Sequence, residues 1–122
     1  IEDLLAMMQA DGADFTNTFA HLGTDIAQDQ FTNSAAFEAW AMSWQARLAR
    51  ETDPSATMAL ANPTIIPRNH RIEEMIQAAV AGDFRPFKRL NTALATPYQR
   101  TDADLERAPL AAEIVPATFC GT

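Results

Sequence analysis

An all-α fold is predicted by three features of this 122-residue sequence. Apolar residues recur at helical spacing, cap and stop residues punctuate those stretches, and no strand-like alternation persists beyond a few residues. The expected architecture is an irregular bundle of roughly five to seven short-to-medium helices with an extended C-terminal tail. Residues 1–98 read as one helical domain and residues 99–122 as an irregular tail.

The first helix carries Leu4, Leu5, Met7 and Met8 and should stop near Asp11-Gly12. Phe15, Phe19 and Leu22 give a short second helix ending at Gly23, which Asp14 or Thr16 can cap. Residues 24–30 are ambiguous. Ser34 reads as the cap of the clearest helix, running to about Thr52, with Phe37, Trp40, Ala41, Trp44 and Leu48 on one stripe. Three aromatic rings on that stripe mark the helix as the expected centre of the core. Asp53-Pro54 is a cap followed by proline at the first helical position, and it starts a helix through Met58 and Leu60. Pro63 and Pro67 then disfavour helix across Thr64-Ile65-Ile66. From about Asn69, the residues Ile72, Met75, Ile76 and Ala79 form another amphipathic helix, closed by Gly82. Asp83 can cap the next helix, with Phe84, Phe87, Leu90 and Leu94 facing inward and Pro86 tolerated in its first turn. Thr96-Pro97 ends it. Beyond Tyr98 no period is sustained, and Pro109 and Pro116 interrupt the chain.

Composition narrows the function classes. The hydrophobic share of 48% is that of a globular chain, and the length suits one compact domain. With 16 acidic against 9 basic residues the net charge is −7, which disfavours nucleic-acid binding and docking on an anionic membrane. No apolar run reaches the roughly 18 residues of a membrane span. The N-terminus, Ile1-Glu2-Asp3-Leu4-Leu5, resembles no signal peptide and opens in mid-pattern, as in a piece of something longer. Cys120 is the single cysteine, so a reducing, cytoplasmic setting is expected.

No complete active site is visible. His21 and His70 have no partner at a metal-ligand spacing, so no metal site is expected. Ser34, Ser43 and Ser55 lack a nucleophile elbow, and no phosphate-cradling glycine loop is present. Glu73/Glu74 is explained by the favourable N-terminal end of a helix dipole, and Asp102/Asp104 by a solvated turn. The connector Asn62-Pro63-Thr64-Ile65-Ile66-Pro67-Arg68-Asn69-His70 has two readings. In one, Asn62 and Asn69 cap helix ends while Arg68 bridges to a carboxylate. In the other, the connector is a docking surface for another domain or for a nucleotide-bearing loop. Cys120, third from the end, is an inert terminal thiol or a reactive one, according to its local pKa.

Asn62-Pro63, Pro67-Arg68-Asn69-His70, Ile76, Ala79, Gly82-Asp83, Leu90, Leu94 and Pro97-Tyr98 together resemble the C-terminal signature of the selenoprotein O family. Gly12-Ala13-Asp14-Phe15-Thr16 with Phe19, and Trp44 with Arg47-Leu48, fit the same pattern. Pro67 departs from the commoner leucine and His70 from the commoner tyrosine. Cys120 stands where the family tail often carries cysteine or selenocysteine, whereas Phe119 replaces a frequent partner cysteine.

The resemblance implies a kinase-like parent that binds ATP with magnesium or manganese and transfers AMP to hydroxyl side chains of proteins. It places nucleotide, metal and catalytic residues in upstream lobes, none in this chain. The motif residues Asn62, Pro63, Arg68, Asn69, Gly82, Asp83, Pro97 and Tyr98 would be structural or docking residues. The implied partners are those upstream lobes and the parent's protein substrates, with Cys120 a redox-sensitive thiol. Two alternatives are a stand-alone helical interaction module and a small enzyme built on Arg68, Asn69 and His70.

Overall fold

The computed structural model describes residues 1–117, and Cys120 lies outside them. Among the described residues there are seven α-helices, two short 3-10 helices and no strand. The all-α expectation holds. No described helix is long and apolar enough to cross a membrane. The chain divides into two compact units, Ile1–Pro63 and Thr64–Thr122.

In the first unit, α1 (Glu2–Asp11) turns Leu4 and Met8, one turn apart, into the core. It stops where Gly12 takes a left-handed φ of 65°, which lets the Gly12 N–H reach the Met8 carbonyl. Asp14 caps α2 (Phe15–His21), its Oδ1 accepting the Asn17 N–H at 2.8 Å. Thr18 is fully buried yet satisfied, donating to the Asp14 carbonyl at 2.7 Å. Residues 25–30 wind into a 3-10 helix that buries Ala27.

The longest helix, α3, spans Ser34–Leu48. Its cap is Asn33 rather than Ser34: the Asn33 side chain accepts from the Ala36 N–H. Both residue types cap well, and the choice is made by Asp11, whose carboxylate holds the Asn33 N–H at 3.1 Å. The helix also ends earlier than Thr52. Arg50 and Glu51 tighten into i→i−3 turns, and Asp53 then takes a left-handed φ of 50° ahead of Pro54.

The aromatic stripe forms a ladder: Phe31 stacks on Phe37 at 4.5 Å, Phe37 meets Trp40 at 5.8 Å, and Trp40 meets Trp44 at 5.7 Å. Trp44 Nε1 donates to the Leu22 carbonyl at 3.0 Å, so its half-buried indole has a satisfied polar end. Phe15, expected on the inner face of α2, is 63% exposed and lies against Phe19. Helix α4 (Pro54–Ala61) begins at the Asp53 cap and sends Met58 onto the core, leaving Leu60 outside.

The second unit is built on a hairpin of α5 (Asn69–Val80) and α6 (Arg85–Leu94), turned at Gly82 with φ 87°. Its core is Ile65, Leu90, Ala93 and Leu105, backed by Ile72, Met75 and Leu94. Three residues assigned to the inner faces, Ile76, Phe84 and Phe87, are about half exposed. Their phase suits the stripe, but the hairpin supplies nothing to cover its turn end. The segment expected to be an irregular tail contains α7 (Ala103–Glu106) and a second 3-10 helix, Ala111–Glu113. Leu105, only 4% exposed, anchors it in the core.

Replacing Leu4 by alanine empties a fully enclosed site in the first unit and should cost about 2–5 kcal/mol in chemical denaturation. Phe15→Ala, at an exposed ring, should cost less than about 1 kcal/mol in the same measurement.

Candidate functional site

Asn62 and Pro63 close the first unit, and the other motif residues fall into two groups within the second, one at the connector and one at the hairpin turn. At the connector, the Pro97 carbonyl accepts the N–H groups of both Thr64 (2.8 Å) and Ile65 (3.2 Å). Thr64 Oγ1 adds bonds to the Pro97 and Gln99 carbonyls at 3.3 and 3.2 Å. Pro97 is thus a receptor for the connector as well as a helix stop, and Tyr98 beside it is half exposed. In the first unit, Asn62 ends α4 and donates Nδ2 to the Met58 carbonyl at 3.0 Å, which makes it a cap as one reading held. Asn69 is the first residue of α5, not its cap. Arg68 precedes it, and its buried guanidinium donates Nη2 to the Glu106 carbonyl at 3.0 Å.

The tail is held by further arginines that the motif does not include. Arg89 grips the Asp102 carboxylate with two bonds of 2.6 Å and reaches Asp104 at 3.1 Å. Asp102 also caps α7. Arg71 pairs with Asp104 and with Glu74, the latter at 2.8 Å. Arg107 holds Glu113 in a fork of 2.6 and 2.9 Å. Asp102/Asp104 is therefore not a solvated turn but the acceptor side of an arginine clamp. Glu73/Glu74 lies in the second turn of α5, where Glu73 accepts from Gln77.

At the turn, Asp83 is the residue before the α6 cap position, which Phe84 occupies. Its carboxylate nevertheless takes the Arg85 N–H at 3.0 Å and the Arg85 guanidinium at 2.7–3.1 Å. That guanidinium, and next the backbone N–H, lower the Asp83 pKa to about 2. Arg107, then the Leu110 N–H, lower Glu113 to about 2. Asp102 is lowered as well, chiefly by Arg89.

His70 is 8% exposed, and its Nε2 is buried without a hydrogen-bond partner. Burial lowers its pKa first, followed by the Arg71 charge, so it stays neutral at pH 7. His21, the last residue of α2, accepts Thr24 Oγ1 at its carbonyl.

Two hollows adjoin the clamp. One, of about 330 Å³, is lined by Arg71, Asp83, Arg85 and Arg89, whose charges are already paired with each other or with tail carboxylates. The other, of about 640 Å³, lies between His70, Glu73 and Gln77 on α5 and residues 112–117. Among the described residues, no three His, Cys, Asp or Glu side chains come together to hold a metal ion. These donors do not fit a nucleotide–metal site: the carboxylates at 83, 102, 104 and 113 face arginines, and the arginines face carboxylates.

A helical hairpin with an arginine-clamped tail is the class of structure the second unit defines. No family model matches the chain. It is 56% identical across its whole length to the protein nucleotidyltransferase YdiU of Ruegeria pomeroyi, and 55% to that of Roseobacter denitrificans. The corresponding protein of Agrobacterium fabrum is 43% identical, again over the whole chain. The chain spans about a quarter of the length of these curated relatives, 26% of the first two and 28% of the third. It belongs to the selenoprotein O family, also named for YdiU.

The clamp carries two predictions. Asp102→Ala removes the α7 cap and the partner of Arg89 together, and should lower stability by about 1–2 kcal/mol in denaturant titration. The depressed Asp83 and Glu113 carboxyls bind protons later in the fold than in the unfolded chain. The stability they contribute is therefore complete above about pH 5 and lost as pH falls towards about 2. Protection of the Leu90 and Ala93 amides, taken relative to the intrinsic exchange rate at each pH, should fall across that window, and less steeply in Arg107→Gln.

Proposed function

We propose that this chain is the C-terminal helical part of a cytoplasmic protein adenylyltransferase, one that transfers AMP from ATP to hydroxyl groups of other proteins. The observation that carries this reading is 56% identity, over every part of the chain, to a relative named a protein nucleotidyltransferase. ATP and magnesium or manganese bind in the rest of the parent, which also supplies the catalytic groups. This chain contributes residues 1–98 as a helical support for the kinase-like core and residues 99–122 as its tail, whose described part is held to the second unit by Leu105 and the arginine clamp. The roles of Arg68, Asp83 and Pro97 fit that assignment, since each stabilises local backbone and none presents a reactive group. The stand-alone interaction module has no comparable support.

The test is ATP binding and AMP transfer, with magnesium or manganese, by the full-length protein and by the 122-residue chain side by side. Mass spectrometry of acceptor proteins should find added AMP with the full-length protein only. Transfer by the chain alone, or transfer of phosphate in place of AMP, overturns the proposal.

A further inference from the structure

We infer that the turn end of the α5–α6 hairpin is the face that docks onto the remainder of the parent polypeptide, through Ile76, Val80, Phe84 and Phe87. This rests on the reading above that the chain is part of a larger protein. The four side chains follow one another at spacings of four, four and three, so they run down the last turn of α5, around the turn and onto the first turn of α6. They are 47%, 86%, 56% and 48% exposed. Large apolar residues gathered in this way on a soluble surface mark a contact face. In the first unit the exposed ones are spread over five elements, with Ile1 and Leu5 at α1, Phe15 on α2, Ile26 on the 3-10 helix, Met42 on α3 and Leu60 on α4.

The unit's own tail, through its described residues 99–117, has other partners. It is committed elsewhere, with Leu105 in the core and Asp102, Asp104 and Glu113 on Arg89, Arg71 and Arg107. The turn is also clear of neighbours, since a Cβ placed on Gly82 would meet nothing within 4 Å. Nor does charge guard the face. Seven basic and seven acidic residues follow Thr64, so the second unit is neutral, and Arg85 beside the patch is held by Asp83. The occupant argued for is the rest of the same chain: the relatives' polypeptides extend to about four times this length, so an intramolecular partner is always present.

Hydroxyl-radical footprinting of the full-length protein tests this with like compared to like. Phe84 and Phe87 should label as slowly as buried Phe37, several-fold slower than Phe15, at every protein concentration. In full-length protein Val80→Asp should lower the thermal midpoint by several degrees, whereas Leu60→Asp, at a similarly exposed site, should not. Protection of Phe15 with free labelling of Phe84 and Phe87 overturns this inference and leaves the buttress reading standing. Free labelling of all three phenylalanines overturns both. Protection that disappears on dilution to monomer assigns the face to a second copy and overturns the inference.

Discussion

The Pro97 carbonyl, accepting two N–H groups from the connector, is the constraint on which the second unit depends. The connector cannot form helix, because a proline stands at each end of Thr64-Ile65-Ile66. Its backbone donors therefore need partners outside regular structure, and burying them unpaired would cost about 1–3 kcal/mol each. The end of α6 supplies one acceptor for both. That contact drives Ile65 to complete burial and fixes the point from which α5 departs, and with it the position of Arg68. The Pro-Tyr element at 97–98 has a mechanical role: its carbonyl holds Thr64 and Ile65, the connector residues that follow Pro63.

Two kinds of interaction hold the tail, and their magnitudes assign them different work. Surface ion pairs contribute about 0–1 kcal/mol each, and Arg89 is half exposed. Burying Leu105 contributes about 1.5–3 kcal/mol. The leucine anchors the tail, and the arginines set its direction. Arg68 differs from both, because its guanidinium is buried and works through a backbone carbonyl, so losing it would strand a polar group in the core. The charge of the whole chain is also unevenly placed. Two basic and nine acidic residues precede Thr64, so the first unit carries all of the −7 and the second has its cations free to fold the tail.

Local signals were legible wherever the physics was local. Asp14, the Asp53-Pro54 pair and the glycines at 12 and 82 act as caps or stops because their effects reach only three or four residues. Ser34 misled because Asn33 caps equally well and a distant carboxylate, Asp11, decides between them. Phe84 and Phe87 misled because periodicity reveals a stripe without saying what covers it. The family motif picked out Arg68, Asp83 and Pro97, yet their roles stayed hidden, since the partners of Arg68 and Pro97 lie more than thirty positions away. Arg71, Arg89 and Arg107 were missed altogether. The available signal was the complement of acids in the tail, with Asp102 and Asp104 opposite cations on the two helices before it and Glu113 opposite Arg107 within the tail.

His70 shows how such a scaffold tolerates change. The family resemblance leads one to expect tyrosine there, and a histidine that became charged would be placed among Arg68, Arg71 and Arg107 with Glu113 to offset them. Burial and those cations depress its pKa below 6.5, so the ring remains neutral under physiological conditions. Tyrosine, with a pKa of about 10, is neutral there for a different reason. What the position requires is a flat, uncharged ring with one polar edge, and either residue meets that requirement. The exchange keeps the neutral charge state while changing the chemistry of the polar edge.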